Sequence, residues 1–279
     1  SLERDTMSHL SFEQQIRVVA CLVEGNSIRS TERLCGIHRD TILRHLLTIG
    51  EGCNRLHDIL MMELHCNLLE LDEVWGYIGK KQKRVKPEDS SEFGDQYVFT
   101  AIDATRKAIV SYAVGKRDGF TAEAFAYDLR ARVVNRPQIS TDGFKPYLEA
   151  IRHAFGDGAD YAMVFKEYGK ADGEDEHKYS PPRCIAVEKR RICGSPDMEK
   201  ANTSFAERSN LTLRMGCRRF TRLTNCYSKK LANHVAAVGL HHAYYNFCRV
   251  HESLEKRTPG MAVGATDHVF SLAELIDAA

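Results

Sequence analysis

No stretch of the chain approaches the roughly 18 consecutive apolar residues that a membrane-spanning helix needs, so no membrane partner is expected. The opening, SLERDTMSHLSFEQQ, is too polar for a secretory signal. Ser1 stands where an initiating Met would be, which raises the expectation that residues precede it. The nine cysteines are an odd number, and no two of them form a C-x-x-C pair. That spacing argues against a disulfide framework and a zinc ribbon, and for reduced thiols in the cytoplasm. An excess of one charge is also missing: the formal net charge is only +1, so the global balance says nothing of an acidic partner. Internal repeats and low-complexity segments are absent as well. What is left, 43% hydrophobic and 28% charged over 279 residues, is globular material for one or two domains.

Charge is present locally. Between Ala201 and Lys230 lie seven cations (Arg208, Arg214, Arg218, Arg219, Arg222, Lys229 and Lys230) and one acid, Glu207. Such a block is often a solvated face, but its one-sidedness points equally to a nucleic acid.

Residues 1–50 read as helices. Phe12, Ile16, Val19, Ala20 and Val23 fall at helical spacing, and Gly25-Asn26 closes that helix. A second helix runs from about Ser27 to Gly36, and a third begins near His38 to Asp40. This is helix-turn-helix spacing, with Arg39, Thr41, Arg44 and His45 on the exposed side of the third helix, able to reach phosphates or base edges. A plain three-helix packing domain is the competing reading.

After a helical link at 51–66 the period changes. LLELDEVWGYIGKK, QYVFTAIDA and KAIVSYAVGKR read as strands, followed by a helix at about 121–133, the strand QIST, a helix from DGFKPYLEAI, and a fifth strand, YAMVFKE. Residues 167–200 break any helix period and read as an insertion, partly a hairpin around CIAVEKRRICG. Helices at about 200–216 and 228–248 close the domain, RTPGMAVG ends its core, and 268–279 is a tail. The expectation is a mixed five-stranded sheet flanked by helices, behind a small all-α head.

Acids stand in unusual places. The first strand carries Asp72 and Glu73 in its middle, where buried charge costs several kcal/mol, on the order of a hydrogen bond or more, unless it is paired or holds a metal. Asp142 ends the fourth strand, and Glu207 sits alone in a basic helix. If the first and fourth strands are neighbours, Asp72, Asp142 and Glu207 meet, as carboxylates of a two-metal phosphoryl-transfer site must. Singly, each has a simpler explanation: an ion pair for Asp72 or Glu73, a turn or cap for Asp142, a surface salt bridge for Glu207. Alternation places Glu73 on the opposite face from Asp72.

LDEVWGYIGKK, TDGFKPY and NTSFAERSNLTLRMGCRRFTRLTNCYSKKLANH together resemble the DDE transposases of the insertion-sequence-one type. The similarity runs from about residue 69 to 267, and the helix-turn-helix also looks like that family's DNA-end-binding head. The resemblance implies an RNase H-like catalytic domain at 67–267, with two Mg2+ ions (or Mn2+) held by Asp72, Asp142 and Glu207. Glu73 matches a family acid beside the catalytic one. Asn210 and Arg214 match polar positions along the helix from Glu207, for DNA contact or support of that Glu, and His234 matches a family position best read as a packed histidine. The zinc finger of some members has no counterpart here, because Cys21 and Cys35 lie inside the helical head. The implied activity is binding of double-stranded DNA at terminal inverted repeats, then metal-dependent cleavage and strand transfer. The seven cations would lie on phosphates, at least a dimer would form on DNA, and the location would be bacterial cytoplasm at the nucleoid. A catalytically silent DNA-binding regulator and an RNase H-like nuclease without strand transfer are the alternatives.

Overall fold

Apolar residues at helical spacing, each run closed by a cap, build the N-terminal helices. The computed structural model describes residues 10–169 and 183–279. Helix α1 (Phe12–Val23) opens on a capping box in which Ser11 and Gln14 satisfy each other's backbone N–H groups. Helix α2 (Ile28–Cys35) runs from its N-cap Ser27 to Gly36, whose φ of 68° lies in the left-handed region that favours glycine. Helix α3 (Arg39–Leu60) then continues for 22 residues, straight through position 50. Its first half buries Ile42 against Val18 and Ile37. Its second half buries Ile49, Cys53 and Leu56 in the main core, so much of the expected 51–66 link is one helix with the head.

The sheet contains β1 (Leu68–Ile78), β2 (Gly94–Asp103), β3 (Ile109–Gly115), β4 (Gln138–Thr141), β5 (Asp160–Gly169) and β6 (Arg183–Cys193). Their spatial order is β3-β2-β1-β4-β5-β6. β1, β2 and β3 form an antiparallel meander, β4 and β5 add in parallel, and β6 returns antiparallel to β5. The sheet therefore has six strands, not the expected five. CIAVEKRRICG is a strand and not a hairpin, because Cys184 to Cys193 contains no turn-forming residue to reverse the chain. The remainder of the expected insertion at 170–182 lies outside the described residues, as do 1–9 of the head.

One face of the sheet is covered by α4 (Gly119–Arg132) and α5 (Pro146–Phe155), where Phe99 of β2 meets Phe125 and Tyr147 at ring separations of 5.8 and 6.1 Å. The other carries α6 (Ser204–Gly216) against β1 and β2, and α7 (Leu231–Ala243), whose long contact is with α3. After α8 (Pro259–Val263), the expected tail contains a helix, α9 (Leu272–Ala278), started by a Ser271/Glu274 capping box. Leu275 and Ile276 of α9 are buried, and the helix packs on α1 and α3. No helix among the described residues is long and apolar enough to cross a membrane.

Candidate active site

The parallel register between β1 and β4 brings two of the acids together. It ends at Leu71 opposite Thr141, so the next residues, Asp72 and Asp142, emerge side by side from adjacent strands. Adjacent strands are only about 4.8 Å apart, close enough for two carboxylates to share a cation. Asp142 is held by a local turn, its Oδ1 accepting from the Phe144 amide at 2.9 Å. A Cβ at Gly143 would come within 2.7 Å of the Phe165 ring, so a larger residue there would have to push that ring aside.

Alternation assigns Glu73 to the other face, yet its carboxylate and those of Asp72 and Asp142 each offer an oxygen within 4.8 Å of the others. β4 stops at Thr141, so beside Asp72 and Glu73 no paired strand separates side chains leaving the two faces of β1, a flank met again only at Ile78 by Ser228. Arg117, just after β3, caps this group. Its Nε donates to Glu73 at 3.0 Å, its Nη2 reaches Asp142 at 3.5 Å, and its guanidinium stacks 4.2 Å from the Phe144 ring.

The third element is α6, which Glu70 docks onto the sheet. Glu70 shares the face of Asp72 and is buried. Its Oε2 accepts from the backbone amides of Phe205 and Ala206 at 2.7 and 3.1 Å, satisfying two N–H groups that the N-cap Thr203 leaves free. Three residues beyond Glu207, Asn210 donates to Asp72 Oδ2 at 2.8 Å. Glu207 accepts from the Thr203 hydroxyl at 2.9 Å and forms an ion pair with Lys166 of β5. Asp72, Asp142 and Glu207 line a single cleft with Arg117, Lys166 and Thr203.

Burial, reinforced by the charges of Asp142 and Glu207, pushes Asp72 up to about 6. Burial and then Asp142 push Glu73 up to about 8, with Arg117 opposing. The Tyr147 hydroxyl, fully buried and near enough to feel Glu73 and Asp72, has no hydrogen-bond partner. Crowded oxygen donors that resist ionisation fit a hard divalent cation such as magnesium or manganese, which would stabilise the charged forms.

The basic candidates fall into groups. Arg39, Arg44, Arg218, Arg219, Lys229 and Lys230 line one groove between the N-terminal helices and the segment joining α6 to α7. Thr41 is half-buried and accepts from Arg44 Nη2 at 3.3 Å. His45 is half-buried rather than exposed, its Nε2 without a partner and its pKa lowered by burial. Arg219 donates to Ser228 at 3.1 Å. Asn210 is buried on Asp72. Burial lowers Arg214, with Arg222 nearby adding to the effect and Asp72 opposing it. Arg208 and Arg222 are exposed. His234 is buried, 2.8 Å from Ser228 Oγ and against Phe220, and burial drives its pKa down to about 3, as suits a packed neutral ring. Glu70, Arg117 and Lys166 carried no sequence signal of their own. The spacing of Glu70 two residues before Asp72, hence on the same strand face, was the one available hint.

Fold and site together define a mixed α/β protein with a carboxylate cluster where β4 ends beside the middle of its parallel neighbour β1. No protein-family model matches the chain, and no curated protein does. Among solved structures, the chain is similar to a piggyBac transposase synaptic complex with hairpin DNA, at 11% identity and a TM-score of 0.40 over 99% of this chain and 73% of that one. It is similar to a Mos1 transposase paired-end complex with the left transposon end at 13% identity and a TM-score of 0.22, over 55% of this chain and 59% of that one. For the Mos1 strand transfer complex the values are 12% and 0.26, over 87% and 78%.

Proposed function

We propose that this chain is a DNA transposase of the insertion-sequence-one type, with an RNase H-like DDE catalytic domain. The observation that carries the reading is that Asp72, Asp142 and Glu207, acids from β1, the end of β4 and α6, line one cleft. A helix-turn-helix head at 1–50 binds the terminal inverted repeats of a mobile element as double-stranded DNA. When bound by the three acids, a pair of Mg2+ or Mn2+ ions supplies Lewis acidity to the attacking and leaving oxygens of an in-line displacement. The protein's own part is positioning. Asn210 holds Asp72, Thr203 and Lys166 hold Glu207, and Arg117, Lys145 and Lys166 are the cations lining the cleft that a phosphate would enter. Water first cuts a phosphodiester to leave a 3′-hydroxyl, and that hydroxyl then attacks target DNA. Joining two ends requires at least a dimer.

The test uses a duplex carrying the DNA that flanks the gene, in magnesium. Asp72→Ala, Asp142→Ala and Glu207→Ala should each lower cleavage and joining by about a thousandfold, the scale lost with a core electrostatic group. Full activity in any of them would remove the assignment. Cuts without joined products would instead make the chain a nuclease, and end binding without cuts a regulator.

A further inference from the structure

Beyond the acids, β1 carries aromatic rings that its helices leave half-exposed. Trp75 and Tyr77 follow Glu73 on one strand face, and both are partly accessible. Trp75 packs 5.5 Å from Tyr77, and Tyr77 stacks on Tyr227 at 4.9 Å with 25° between the planes. On the other side, Trp75 is in register with Tyr97 of β2, whose ring lies 5.9 Å from the Arg117 guanidinium that holds Glu73. The rings thus form a continuous row leading away from the acid cluster.

Cations line this row. Lys80 to Lys86 contains five cations and no acid. Lys80 is held by Asp89 at 2.6 Å, and Lys86 is 3.7 Å from Glu88. Lys81, Lys83 and Arg84 are exposed and have no ion-pair partner among the described residues. Lys81 Nζ sits 5.5 Å from the Trp75 ring centroid. A ring cluster meant only for packing would be covered by apolar side chains, whereas this one is rimmed by free positive charge.

We propose that Trp75, Tyr77 and Tyr227 are a stacking platform for unpaired DNA bases, with Lys81, Lys83 and Arg84 on the phosphates of that strand. A duplex keeps its base faces stacked internally, so the occupant is a single strand, such as a frayed or released end beside the cut. This inference rests on the transposase reading for its DNA but not for its readout.

Trp75 is the single tryptophan of the chain, so fluorescence excited at the red edge of tryptophan absorption, clear of the eleven tyrosines, reports this position alone. The full chain is titrated at low salt, without divalent metal, with a twelve-nucleotide oligodeoxythymidine and with a blunt duplex of equal length. The oligonucleotide should quench Trp75, and the duplex should do so far less. Tyr77→Ala, and separately Lys81→Glu at an exposed position, should each weaken the single-strand affinity roughly tenfold. Unchanged fluorescence, equal quenching by the duplex, or variants that bind as tightly as the parent would overturn the platform. Because no metal is present and no cleavage is read, failure here leaves the acid assignment standing, and an inert acid site leaves the quench standing.

Discussion

Burial and then Asp142 raise Glu73 to about 8 against the pull of Arg117, burial raises Asp72 to about 6, and both carboxyl groups share one small space with Asp142. A metal entering this space must displace any proton its ligands still hold. Raised pKa values therefore weaken metal binding below those values, and binding strengthens as pH rises through them. If Glu73 is a ligand, magnesium or manganese affinity should climb about tenfold per pH unit between 6 and 8, one proton being displaced. If Glu73 is no ligand and only Asp72, Asp142 and Glu207 hold the metal, the rise should flatten above about pH 6. Calorimetric titration at pH 6, 7 and 8 separates the two, and Glu73→Gln should abolish any slope in that window. The assignment of the metals to Asp72, Asp142 and Glu207 predicts the flattening, and a slope that persists to pH 8 would add Glu73 to the ligands. Strand alternation failed to foresee this grouping because it fixes where a side chain leaves the backbone, not how far it bends round an unpaired strand end. The length of β4, which opens that end, depends on pairing with distant residues that no local pattern reports.

Helix α6 is placed by two side chains of one strand face, Glu70 at its N-terminus and Asp72 through Asn210. Glu207 lies between those anchors, so its carboxylate is only as well placed as the helix. Removing the Glu70 acceptor leaves the buried Ala206 amide and the part-buried Phe205 amide unpaired and takes away an anion at a helix N-terminus. Glu70→Ala should therefore cost roughly 3 kcal/mol in urea denaturation and reduce metal-dependent cleavage, although it deletes no proposed ligand. Glu70→Gln keeps one uncharged acceptor and should lose about 1 kcal/mol. Equal stability of Glu70→Ala and the parent would show that Thr203 and solvent suffice to start the helix. Much at this scale was legible in advance. Helical spacing located α1, α4 and α6, and alternating apolar runs located β1, β2 and β3. β6 was misread because residues 184–192 are exposed and Glu188 to Arg191 are all charged, so the segment lacks the buried apolar alternation that marks a strand and is held by its pairing with β5. α9 was read as a tail because seven residues are too few for a period, even though its capping box was present in the sequence. Glu70 was passed over since an acid in a strand has no motif until the helix it caps is placed against it.

At the scale of the whole molecule, α3 joins the N-terminal helices to the sheet layer. Gly50 of α3 lies against the Ala236 backbone of α7, where a Cβ would come within 2.3 Å, so the two helices cross in direct backbone contact. The same two helices floor the groove that brings Arg39 and Arg44 to the same space as Arg218, Lys229 and Lys230. Cations separated by about 190 residues in the chain therefore face one ligand, provided that α3 and α7 keep their contact. If a DNA duplex occupies the groove, all five neutralise phosphates in a single binding event and release counterions together. The slope of log affinity against log salt should then be on the order of −4 to −5. Arg44→Ala and Lys229→Ala, on opposite walls, should each make that slope shallower by about one when anisotropy is measured from 50 to 200 mM salt. Two separate DNA sites would give another pattern: the tighter site would set the slope, and one of the two variants would leave it unchanged. Equal shallowing by both is the expected result, because the groove has its charges on both walls and its apolar floor, including Leu43, Leu47 and Leu240, between them.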